Sequence, residues 1–167
     1  MRSRALVTAG LVSLVGASLG GCGSDEPTTE SVSVSAITYT YVGSSTAPEF
    51  HQEYRVVVKP EEATIRVGTY GTVDGSEEPV GTATVAITDE IWSDLVAETS
   101  SLPSGDDADG CTGGSTRTIK VEDADGSAHS ATIEDCGSAN EEASEQLEDL
   151  IEPVLALFDL DELDDRD

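Results

Sequence analysis

Strand-like patterning fills the first half of the chain. Residues 36–42, AITYTYV, alternate apolar and polar side chains, and residues 63–71, ATIRVGTYG, alternate again. Between them EYRVVVK, 53–59, is rich in β-branched residues and bounded by Pro60, and VGTATVAI, 80–87, reads as a fourth strand. The connection Pro60-Glu61-Glu62 is short enough for a hairpin, GSSTAPE (43–49) is a loop, and VDGSEEP (73–79) is a turn centred on Asp74-Gly75. The first half therefore predicts an antiparallel meander.

The period then changes. Thr88 can cap a helix whose first turn carries Asp89 and Glu90, where the helix dipole favours acids. Ile91, Trp92, Leu95, Val96 and Thr99 follow at helical spacing, and the helix should end near SSLPSG, 100–105. Trp92, the only tryptophan, is expected to anchor this helix on the sheet. Two more strands, 115–122 and 128–135, flank the turn DADGS, 123–127; the odd-numbered Ile119, Val121, Ala131 and Ile133 can share a face of that hairpin. Residues 141–158 are amphipathic, with Ser138 and Glu141 placed for a capping box and Pro153 placed to kink or restart the helix. The order ββββ-α-ββ-α predicts an α+β fold: an antiparallel sheet with two helices packed on one face, because each helix has one apolar stripe to bury.

The N-terminus has a different character. MRSR supplies Arg2 and Arg4; Ala5 to Gly20 is uncharged, and too short and too rich in Gly, Ser and Ala for a transmembrane helix, which needs about 20 apolar residues. This is the pattern of a secretory leader. Leu19-Gly20-Gly21-Cys22 resembles the lipobox of bacterial-type lipoproteins. That resemblance implies cleavage before Cys22, lipidation of its thiol and anchoring in a membrane of the cell envelope, with the domain facing the periplasm or the cell exterior. Two or more acyl chains anchor stably where one does not. The chain thus divides into a signal peptide (1–21), a lipidated cysteine and flexible acidic tether (22–35), one domain (36–160) and an acidic tail (161–167); the C-terminal charge run 159–167 is expected to be a frayed, solvated end.

Charge narrows the partners. The chain has 8 Lys+Arg against 34 Asp+Glu, a formal charge of −26. Nucleic acid and anionic lipid headgroups are disfavoured; cations or a basic envelope protein are the electrostatically favoured partners. Many carboxylates with few lysines is also a pattern of saline environments, where salt screens self-repulsion.

Candidate chemistry is sparse. Cys111 and Cys136 fall near each other at the outer ends of the predicted hairpin, and an oxidising compartment favours a disulfide; a metal or redox pair is the alternative. Asp123, Asp125 and Glu134 match a few positions of a calcium-binding loop, although Asp125-Gly126 is equally a hairpin-turn signal; a second acidic loop runs 106–110. His51 and His129, the only histidines, sit in no catalytic motif, and both read as ordinary surface residues. The glycine-rich CTGGS, 111–115, lacks the lysine and helix of a phosphate cradle. The sequence assigns no catalytic residue, no metal site and no cofactor. It points to a non-catalytic binding module; the alternatives are a hydrolase using His51 or His129, and a structural envelope component. In layout the helix 88–98, hairpin 116–134 and helix 146–158 resemble emfourin-type metallopeptidase inhibitors, a resemblance that carries over no inhibitory residue.

Overall fold

Period-2 patterning becomes six strands in a computed structural model that describes residues 33–105, 113–137 and 139–165, all within the unit Val32–Asp167. They are β1 (Val34–Val42), β2 (Glu53–Lys59), β3 (Glu62–Gly68), β4 (Gly81–Ala86), β5 (Ser115–Asp123) and β6 (Ala128–Asp135). All neighbours are antiparallel, in the order β4-β3-β2-β1-β5-β6. The expected meander is present, and the β5–β6 hairpin joins it on the free side of β1. Among the described residues α1 (Asp89–Glu98), extended by a 3-10 turn over Thr99–Ser101, joins β4 to β5, and α2 (Glu141–Leu155) and α3 (Leu160–Leu163) follow β6.

Strand parity sorts the side chains into two faces. In β1, Ile37 and Tyr39 point to the helical layer; their partners Val58 and Val56 in β2, and Val121 and Ile119 in β5, do the same. These six are fully buried, together with Ile65 and Val67 of β3 and Ile133 of β6. Above them α2 lays down Leu147, Leu150, Ile151 and Val154, and α1 adds Leu95. Burying each large aliphatic side chain contributes about 1.5–3 kcal/mol against chain entropy. The odd-numbered hairpin residues share the covered face as expected, with Ala131 only partly buried.

The helix ends meet expectation at α1 and depart from it at α2. Thr88 caps α1 through its side chain, which accepts from the Ile91 N–H at 3.2 Å. At α2 the cap residue is Asn140 in a left-handed conformation (φ 63), and its side chain makes no capping bond. Its amide donates to the Glu134 carbonyl at 3.0 Å, tying the helix start to β6. Ser138, the expected cap, lies outside the described residues. Pro153 sits in the last turn of α2, where it has no N–H to give the Asp149 carbonyl, and the helix ends two residues later. Trp92 is half-buried and packs at the margin of the core; Leu95 is the buried residue of α1.

The acidic end is not simply solvated. Asp159 caps α3 by accepting from the Glu162 N–H at 3.1 Å, and α3 contacts β4. Contact there is so close that a Cβ on Gly81 would collide with the Leu163 carbonyl. Gln52 donates to the Asp164 carboxylate at 3.0 Å, fixing this segment from the other side. One edge of the sheet is thereby screened.

Candidate functional site

His51 overturns the expectation of a surface histidine: its side chain is 1% exposed. It closes the β1–β2 loop over the sheet end where β2 begins. Nδ1 lies 2.9 Å from the Ser44 carbonyl and Nε2 lies 3.0 Å from Oε1 of Glu53, itself buried. The other Glu53 oxygen accepts from the Val73 N–H at 3.3 Å. A carbonyl facing Nδ1 calls for a proton on that nitrogen, and Nε2 is committed to Glu53. The Tyr70 ring lies parallel on the imidazole, centroids 3.6 Å apart, and its hydroxyl donates to the Thr46 carbonyl at 2.7 Å. Loops 43–52 and 69–80 are thus pinned together by one histidine. Sealed from solvent and with both nitrogens committed, His51 is built as a fastener. Phe50 beside it is 78% exposed. His129 is exposed on β6.

Under the helices lies a second polar feature, an aromatic cluster with a cation. Tyr41 stacks on Tyr54 at 5.0 Å between centroids, Tyr39 lies 6.1 Å from Tyr54, and the Arg117 guanidinium sits 5.2 Å over Tyr41. Arg117 donates to Glu148 at 2.9 Å and pairs with Asp135 at 3.6 Å. Burial pushes the Tyr54 hydroxyl up to about 12, with the Glu148 carboxylate adding to it, and drives Tyr39 higher still. Both are inert phenols at neutral pH.

The open face of the sheet carries the even residues of β1 and β5 and their partners. One row across it reads Thr84, Thr64, Val57, Thr38, Lys120, Ser130; the next reads Thr82, Arg66, Arg55, Thr40, Thr118, Thr132. Cross-strand hydroxyl pairs join Thr64 to Thr84 at 2.9 Å and Thr118 to Thr132 at 3.1 Å. Arg55 and Arg66 stand directly opposite each other on β2 and β3. Among the described residues neither makes an ion pair.

The calcium candidates are not brought together. Asp123 and Asp125 lie at the β5–β6 turn, whereas Glu134 pairs with Thr116 near the opposite end of the hairpin, roughly 20 Å away by strand rise. The aspartates serve the turn. The Ser127 hydroxyl donates to Asp123 and its N–H to Asp125, and that backbone bond is the largest of the effects that hold the Asp125 carboxyl below its ordinary range. No group of metal-binding side chains occurs among the described residues. Cys136 is disulfide-bonded; Cys111, its expected partner, and the acidic loop 106–110 lie outside the described residues, as does Cys22. No helix among the described residues is long and apolar enough to cross a membrane.

Comparison of the chain with protein-family models, with curated proteins and with solved structures returns no match.

Proposed function

We propose that this chain is a lipid-anchored protein of the cell envelope whose α+β domain is a non-catalytic binding module. The reading is supported by a leader ending in Leu19-Gly20-Gly21-Cys22. It is carried chiefly by the state of His51, the buried histidine whose ring nitrogens are both committed to the Ser44 carbonyl and Glu53. A general base must reach a substrate proton, and this one has no free nitrogen to offer. Strand β1 begins at the far end of the sheet from the His51-pinned loops. Inhibition of a metallopeptidase is one form that such binding could take.

The anchor is tested by Cys22→Ser. The variant is expected to leave the membrane fraction or to remain unprocessed; a processed, membrane-bound variant defeats the anchor. A His51→Gln variant that loses an enzymatic activity while keeping its fold defeats the non-catalytic reading.

A further inference from the structure

The centre of the open face gathers arginines that no carboxylate neutralises among the described residues. In a chain of −26, the two central rows of that face hold Arg55, Arg66 and Lys120 and no carboxylate. Lys59 stands on the same face, two residues beyond Val57; it pairs with Glu62 at 3.9 Å and Lys120 pairs with Glu122 at 3.0 Å, so the unneutralised charge there is that of Arg55 and Arg66. Carboxylates are abundant enough elsewhere to have neutralised the rare arginines, and Arg117 has taken two of them. Arg55 and Arg66 have taken none among the described residues. They are instead held directly opposite, ~5 Å apart at the backbone, an arrangement that repels. Two adjacent guanidiniums form a double fork for carboxylate groups.

We propose that this face binds an acidic, carboxylate-bearing polysaccharide. This deepens the binding-module reading and rests on it. Charge complementarity makes the occupant anionic. Apart from the buried Thr38, the remaining positions of the two rows are mostly threonines and a serine, whose hydroxyls can donate to and accept from sugar hydroxyls and ring oxygens. A protein partner would need a central apolar or aromatic anchor, and a nucleic acid would need stacking platforms and a denser run of cations; the two rows offer one valine and no aromatic side chain. The acidic helices lie behind the sheet, about 10 Å away, and a Debye length of ~8 Å screens much of their repulsion at physiological salt.

The test is affinity electrophoresis of the full chain, purified in detergent, through gels containing polygalacturonate, neutral dextran or polyglutamate. Retardation by polygalacturonate alone is expected, weakening as salt rises. Arg55→Gln with Arg66→Gln should weaken it at least tenfold while the circular dichroism stays unchanged, and Arg55→Lys with Arg66→Lys should restore part of it. If the glutamine pair fails to fold, Lys59→Gln with Lys120→Gln must weaken binding on the same face. No retardation by polygalacturonate, equal retardation of the glutamine pair, or equal retardation by polyglutamate overturns the proposal. A membrane-anchored chain that ignores polygalacturonate overturns the ligand class alone. A chain that binds polygalacturonate yet is membrane-bound without Cys22 overturns the anchor alone.

Discussion

His51 shows how much one side chain can be asked to hold. It bridges Ser44 of its own loop, Glu53 at the start of β2 and, through the stacked Tyr70 ring, the β3–β4 connection. Removing it strands Glu53 in a buried site with one oxygen unpaired. His51→Ala should therefore cost about 2–3 kcal/mol, read as a drop in the denaturation midpoint. Glu53→Gln should cost less than about 1 kcal/mol, because a glutamine amide can donate to Nε2 while Nδ1 keeps its proton for Ser44. Equal losses in the two variants would contradict this account. Histidine two residues before glutamate is visible in the sequence, but the partner that makes the site, Tyr70, lies nineteen residues away on another loop. Burial of His51 depends on that loop folding back.

Among the elements, α3 is the least expected. Its sequence, LDEL within a long acidic run, reads as a solvated end. Two things outside it make it fold: the Asp159 cap, and a glycine on β4 that lets the backbone of Leu163 approach. Gly81→Ala should push Leu163 away, lower stability by about 1–2 kcal/mol and expose the C-terminal segment to limited proteolysis. Unchanged proteolysis would show that the close approach is not what seats α3. The strands and the two longer helices, by contrast, were legible to within three residues. Their apolar periodicities are strong, and the turns Asp74-Gly75 and Asp125-Gly126 mark their ends; both glycines have positive φ.

At the scale of the molecule, folding separates charges that the composition averages. The helical layer is acidic, Arg117 is enclosed with Glu148 and Asp135, and the remaining described cations gather on the open sheet face. The tyrosines beneath α2 link global stability to pH. Tyr39 and Tyr54 are raised from an ordinary value of 10.0 by burial, Tyr54 to about 12. A raised pKa means the native state holds its protons more tightly, so this stabilisation is complete below pH 10 and fades as pH rises from 10 through 12. Alkaline unfolding should begin in that window, with Tyr39→Phe moving its onset upward; an onset unchanged in that variant would remove Tyr39 from the cause.

The sequence by itself determined the element types, their order, the α+β class and the parity of the buried face, because hydrophobic period and turn residues act over a few neighbours. It also pointed to Cys136 as a disulfide cysteine. Only the tertiary structure decided that β5 joins β1, that His51 is enclosed, that Glu134 is parted from Asp123, and that Arg55 meets Arg66. Each of these is set by register or docking between segments far apart in the chain, and local pattern constrains which face a side chain takes but not which strand it will lie beside.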